Sequence, residues 1–283
     1  MRVDEVDMEA ALGRAKSFFD GDRCTLIFTP NPEIIMLAQG NESLREAING
    51  ADLCLADGIG VVLASRIQGS GSRVQAGRPL RTSVSAAKRR GRRLGRPVGD
   101  HGSPLRQDVA PQIVGDTLAV SRGRPQGSPL RARVAGYDFL LELLKLNKNV
   151  FLLGAKDGVA GECAKRLDNV VGWHHGYFSE DEGDNIIERI NASGAEMLVA
   201  ALGAPKQELW LWENRERLGC KVAIGVGGAL DVISGNVKRA PRIWQKLCLE
   251  WLYRAIREPK RFKRLAVLPK FIWKVITRRE TTK

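Results

Sequence analysis

No two of the five cysteines, Cys24, Cys54, Cys163, Cys220 and Cys248, form a CxxC pair. Their odd number and wide spacing argue against a disulfide framework and against a zinc site. Long apolar runs are missing too. The stretch from Leu265 to Ile276 is cut by Pro269, Lys270 and Lys274, well short of the roughly 20 apolar residues that a membrane-spanning helix needs. The amino-terminal MRVDEVDMEAALGRAKSFF has no apolar core ahead of a cleavage site, so no signal peptide is expected. Neither GxGxxG nor GxxxxGK[ST] occurs, which removes the dinucleotide fingerprint and the ATPase phosphate loop. Aromatic residues are scarce at 6%, but 43% of the 283 residues are hydrophobic. That is enough for a sizeable core in one large domain or two small ones, and too much for a disordered chain. A cytosolic protein without a transmembrane helix is expected.

What the chain has in excess is positive charge, a formal net of +13, and it is confined to two blocks. Residues 71–125 carry 12 basic and 3 acidic residues; residues 238–283 carry 15 basic and 3 acidic. The remainder, 1–70 and 126–237, is acidic at net −8. The first block holds 8 Gly and 5 Pro and none of the 17 aromatic residues, a composition that does not pack. Gln68-Gly69-Ser70 precedes it and Gln126-Gly127-Ser128 closes it, so removing 58 residues joins the flanks as ASRIQGSPLRARVAGYDFL. A short direct repeat around a compositionally foreign segment is what an in-frame mobile-element insertion leaves behind. The competing reading, a basic nucleic-acid arm around AAKRRGRRLGR, lacks any aromatic for base stacking.

Outside that block, apolar runs alternate with amphipathic stretches. Strands are expected at RCTLIFT, ADLCLA, NVFLLG, AEMLVAALG and CKVAIGVG, and helices across NPEIIMLAQ, Ile59 to Gln68, YDFLLELLKLN, GVAGECAKRL, EGDNIIERINAS and KQELWLWENRERL. Such alternation specifies βαβ units around a parallel sheet, whose ligands bind at the carboxyl ends of the strands. Polar and glycine residues gather at those ends: Thr29-Pro-Asn31, Asp57-Gly58, Gly154, Gly203 to Gln207, and Gly225 to Gly228. Glycines at strand-to-helix turns let backbone N–H groups approach a phosphate, which favours a nucleotide-type ligand.

TPNPEIIMLAQ, ADGIGVVLASRI, RVAGYDFLLELL, FLLGA, HHGYF, ALGAPKQELW, GVGGALDVISGNVKRAP and EWLYRAIREPKRFKRL together resemble the WecG/TagA/CpsF glycosyltransferases of bacterial cell-envelope polymer synthesis, in the family's order. The resemblance implies transfer of N-acetylmannosamine, or a relative, from a UDP-sugar to an undecaprenyl-diphosphate-linked sugar, with inversion, in polysaccharide or teichoic acid synthesis. Relative to the family the chain starts a few residues into the first strand-helix unit, so the expectation is either a missing edge strand or a misassigned start codon. The inserted block separates two stretches that both contribute to the family's pocket, which leaves a catalytically impaired member as the alternative.

By the same resemblance Asp57 is the base that deprotonates the acceptor hydroxyl; without it, Asp57 reads equally well as a helix cap. Thr29 and Asn31 match acceptor-sugar and active-site contacts, and also suit a turn between two prolines. Arg133 matches a pocket arginine, with bidentate donors for a diphosphate. Gln207 opens a helix, where it binds phosphate or sugar hydroxyls or stands exposed. Tyr177 and Asp231 match uridine contacts, Gly227 and Gly228 allow the nucleotide to approach, and Arg254, Arg261 and Arg264 match arginines that hold the lipid diphosphate. His174 and His175 have no acidic or Cys partner at ligand spacing, and the matched motifs carry no DxD pair. No cofactor and no metal are therefore expected.

The tail interleaves Trp244, Trp251, Tyr253, Phe262, Phe271 and Trp273 with cations, as a helix pair lying in a bilayer interface does. The expected architecture is thus α/β: a Rossmann-like parallel sheet flanked by helices over residues 1–70 and 126–237, a disordered insertion over 71–125, and a membrane-associating helical appendage over 238–283. The expected partners are the UDP-sugar, the polyprenyl-diphosphate-linked acceptor, the inner face of the cell membrane and further copies of the chain. Nucleic acid is not among them.

Overall fold

The structure, a computed structural model, describes residues 1–69, 119–120, 133–247, 249–257 and 267–277. The insertion read from the sequence lies outside these residues apart from Ala119 and Val120. So do Arg261 and Arg264.

The chain runs β1 (Arg2–Val3), α1 (Met8–Phe18), β2 (Thr25–Phe28), α2 (Pro32–Ala38), α3 (Glu42–Gly50), β3 (Leu53–Cys54), α4 (Ile59–Gly69) and β4 (Ala119–Val120). It continues through α5 (Gly136–Leu144), β5 (Val150–Gly154), α6 (Val159–Ala164), β6 (Val170–His174), α7 (Gly183–Ala192), β7 (Met197–Ala201) and α8 (Lys206–Glu213). The last elements are β8 (Val222–Gly225), α9 (Ala229–Ile233), α10 (Arg242–Lys246), α11 (Glu250–Arg257) and α12 (Val267–Thr277). Six strands form one parallel sheet in the order β3-β2-β8-β7-β5-β6.

Every residue of β2, β5, β7 and β8 is buried, because helices cover both faces of a parallel sheet. Alternation along β2 feeds the two sides. Ile27 joins Phe139, Leu140 and Leu143 of α5 and Ala229 and Leu230 of α9. Leu26 and Phe28 join Leu44 and Ile48 of α3, Ile186 and Ile190 of α7, and Leu211 of α8. A third cluster packs α12, through Phe271 and Val275, on Ile35 of α2 and on Val61 and Val62 of α4. Lys274 of α12 also donates to the Gln39 side-chain carbonyl at the end of α2. Among the described residues no helix is long and apolar enough to cross a membrane.

The expected strands and helices are present among the described residues, joined by β1, α1, α3, β4, β6, α9 and α10. Strand β1 pairs in parallel with β4, outside the six-stranded sheet. Its continuation Asp4 bridges Leu55 beside β3, where the buried Asp4 carboxylate accepts the Cys54 N–H at 2.8 Å and faces Arg2 at 3.2 Å and Arg14 at 3.4 Å. Helix α3 starts at Asn41, whose Oδ1 accepts the Leu44 N–H at 3.0 Å, and it buries Leu44, Ala47 and Ile48. Strand β6 closes the far edge of the sheet, with Val171 and Trp173 exposed.

Candidate active site

At the carboxyl ends of β2, β3 and β8 the chain turns back into helices, and these turns wall a pocket of about 560 Å³, counting space open to solvent. Thr29, Asp57, Val226 and Gly228 line it from the sheet side, Gly136 and Tyr137 from the start of α5, and Lys238, Arg239, Glu250 and Arg254 from the carboxy-terminal segment. Such a position outside the strand ends is the usual ligand crevice of an open parallel sheet. Thr29 Oγ1 donates to the Gly225 carbonyl at 3.4 Å, tying the β2 turn to β8. Gly136 has no side chain where a Cβ would meet Thr29 at 3.2 Å, so α5 can start directly against that turn.

Asp57 is held by its backbone N–H, which donates to the Pro30 carbonyl at 3.2 Å. About a third of its side-chain surface, 34%, faces the pocket, and the rest is packed against protein. That desolvation pushes its carboxyl above the ordinary range, and the nearby Glu250 charge adds to the rise; Arg133, Arg254 and the Gly136 N–H oppose it. Arg133 Nε lies 4.0 Å from Asp57 Oδ1, and its Nη2 donates to Glu250 Oε2 at 3.0 Å. The other Glu250 oxygen accepts from Arg239 Nε at 3.4 Å. Arg239 in turn pairs with Asp138 at 2.7 Å and lies over the Tyr137 ring, 4.6 Å from its centroid. The base candidate thus sits at one end of a chain of alternating charges.

The pocket therefore brings together Thr29, Asp57, Gly228 and Arg254, with Arg133 joined to it through its two carboxylate partners. The other expected residues fall nearby or elsewhere. Asn31 caps α2, its Oδ1 accepting the Ile34 N–H at 3.0 Å with Pro32 in the first turn. Gln207 is buried rather than exposed: its Oε1 accepts the Gly227 N–H at 3.0 Å and its Nε2 donates to Glu208 Oε1 at 2.7 Å. It reaches the pocket through the shape of the β8 turn, where Gly227 takes a left-handed φ of 52°. Glu208 is buried as well, and desolvation raises its carboxyl. Asp231 lies on α9, its Oδ2 3.6 Å from where a Gly228 Cβ would stand. Tyr177 is 72% exposed on the loop after β6; the adjacent Gly176 rests against Gly154 at the end of β5.

Of the pocket residues not picked out from the sequence, four carry polar or charged side chains: Tyr137, Lys238, Arg239 and Glu250. Lys238 and Arg239 stand inside the matched GNVKRAP, and Glu250 is one of only three acids in the basic tail. That lone acid ahead of Trp251 was the available signal. The sequence does contain one Asp-x-Asp, Asp20-Gly21-Asp22. It lies in the turn before β2, at the amino end of the sheet and away from the pocket. Among the described residues no three His, Cys, Asp or Glu side chains are grouped to hold a metal ion.

A family model described as "Glycosyl transferase WecG/TagA/CpsF family" matches residues 1–94 and 117–283. The match passes over residues 95–116, which lie within the basic block. A relative from Bacillus spizizenii, N-acetylglucosaminyldiphosphoundecaprenol N-acetyl-beta-D-mannosaminyltransferase, is 28% identical over 270 residues, covering 92% of this chain and 82% of its own length.

Proposed function

Because the chain belongs to the WecG/TagA/CpsF family of glycosyltransferases, we propose that it transfers N-acetylmannosamine or a close relative from a UDP-sugar to a polyprenyl-diphosphate-linked amino sugar, with inversion at the anomeric carbon. The observation that carries the reading is Asp57: a carboxylate opening into the strand-end pocket with its proton affinity raised, within reach of arginines. In the proposed step the acceptor hydroxyl attacks the anomeric carbon on the face opposite the nucleotide. Its proton passes to Asp57 as the new C–O bond forms, and the bond to the diphosphate breaks. A base works best when its pKa approaches the working pH while it stays ionised, and a raised carboxyl meets that demand better than an ordinary one.

The departing diphosphate gathers negative charge, for which fixed guanidinium donors are the matching stabiliser. Arg133 and Arg254 fill that role here, with Arg261 and Arg264 of the tail assigned to the lipid diphosphate. This supply of positive charge is why we propose chemistry without a metal ion. Thr29 is assigned to the acceptor sugar, and Asn31 supports it by fixing the start of α2. Gln207, with Glu208 behind it, sets the β8 turn whose Gly227 and Gly228 admit the nucleotide. The uridine is assigned to Asp231 and Tyr177, extending the site across the end of β5, where Gly176 packs. We further propose that the enzyme works at the cytoplasmic face of the membrane, because Trp251, Ile256, Ile272, Trp273 and Ile276 are exposed on α11 and α12 beside lysines and arginines.

A transfer assay with a panel of UDP-sugars and a short-chain lipid-diphosphate acceptor tests the proposal. Turnover with at least one donor, falling about 100-fold or more in Asp57→Ala, is the expected result. Equal turnover in the variant removes Asp57 as base. Silence with every donor points instead to a family member disabled by its insertion.

A further inference from the structure

Glu250 is out of place by charge. It belongs to the tail block with 15 basic and 3 acidic residues, yet it is turned inward, with 13% of its side chain exposed, and it lines the same pocket as Asp57. A second carboxylate raises the cost of ionising the proposed base, so the catalytic step gains nothing from it as it stands. Its geometry explains its presence better. The two oxygens bridge two guanidiniums, Arg133 at 3.0 Å and Arg239 at 3.4 Å, and those forks fit a phosphate as readily as a carboxylate.

We infer that Arg133 and Arg239 form a diphosphate subsite that Glu250 occupies as a stand-in and yields when a diphosphate arrives. The inference rests on the glycosyl-transfer reading and adds Arg239 and Glu250 to it. Arg239 is prepared for the exchange: Asp138 at 2.7 Å and the Tyr137 ring at 4.6 Å keep its guanidinium in place without Glu250. A diphosphate brings more charge to the two arginines than one carboxylate does, so it wins the competition. Glu250 is free to leave because it is the first residue of α11, a helix that buries only Ala255. Departure of Glu250 then coincides with arrival of substrate, and the carboxylate keeps both arginines neutralised until that moment.

The test is calorimetric titration of the full-length enzyme, Glu250→Gln and Glu250→Asp with inorganic pyrophosphate, UDP and farnesyl diphosphate. Aspartate keeps the charge but is one methylene too short to bridge both arginines. Removing an occupant present about 90% of the time tightens apparent binding about tenfold, and this gain is expected with pyrophosphate in both variants. A gain shared by UDP alone assigns the subsite to the donor, one shared by farnesyl diphosphate alone assigns it to the acceptor, and Arg239→Gln is expected to weaken whichever gains. If the wild type binds these ligands and the variants bind them equally or more weakly, Glu250 is a strut that positions the arginines; the stand-in role is then overturned and the transferase reading survives. If the wild type binds none of the three, both fall.

Discussion

Asp57 carries opposite demands of folding and chemistry in one side chain. Its raised carboxyl means that the folded state holds a proton more tightly than the unfolded chain does. Its contribution to stability is therefore most favourable at pH below the unfolded value of about 4, and is lost as pH rises through the higher folded value. Asp57→Asn should accordingly melt at the same temperature as the wild type or higher at neutral pH, while losing turnover. The thermal advantage should shrink as the pH is lowered. In the wild type the acidic limb of the rate profile should fall above the ordinary carboxylate range, since protonation removes the base. Melting curves and pH–rate profiles on the two proteins check both statements; a less stable Asp57→Asn would show that the carboxylate is a structural anchor. This residue was legible because it stands alone after an apolar strand. Arg239 and Glu250 were not, because the sequence gives no sign of which charges in a dense basic block turn inward; only the fold brings Glu250 against Arg133 and Arg239.

At the level of elements, the strands buried on both faces announced themselves as continuous apolar runs, as with VFLLG, MLVAA and VAIG. Three of the elements that escaped, α3, β6 and β1, are only partly buried or very short. Helix α3 shows Glu42, Ser43, Glu46 and Asn49 to solvent and hides only three apolar residues. Strand β6 is an edge, interrupted by Gly172, where a Cβ would strike the Phe151 ring at 2.7 Å; β1 is two residues long. Helix α12 carries the proposed membrane-facing surface. Phe271 and Val275 face the protein, while Ile272, Trp273 and Ile276 face out at 53%, 69% and 49% exposure. Replacing Ile272 and Trp273 together by Glu leaves the packed face intact. The double variant should lose at least about tenfold in binding to phosphatidylglycerol vesicles, given what each buried side chain contributes. Vesicle flotation measures this, and undiminished binding would clear α12 of any membrane role.

For the molecule as a whole, the net charge of +13 describes no single surface. It is the sum of an acidic α/β body, a basic block flanked by a repeat, and a basic tail. We propose that excising residues 71–128 leaves a folded enzyme with wild-type turnover. The cut also removes β4 and its two pairings with β1, so a modest loss in melting temperature is expected, smaller when only residues 95–116 are removed. Loss of soluble, active protein in both deletions would show that the block serves the fold. The order of the strands also bears on how the enzyme is made. Strand β8 is the last of the sheet to be synthesised, yet it lies between β2 and β7, with Thr25 paired to Val222. Until that late segment has left the ribosome, β2 and β7 lack the neighbour that joins them, and the sheet cannot close. A nascent chain stopped short of Val222 therefore holds two unfinished half-sheets with open strand edges, the state most exposed to aggregation and chaperone capture. Under the proposed insertion, the 58 added residues delay the arrival of β8 while adding little to the entropy of closing the sheet, which grows only logarithmically with the length of chain to be closed.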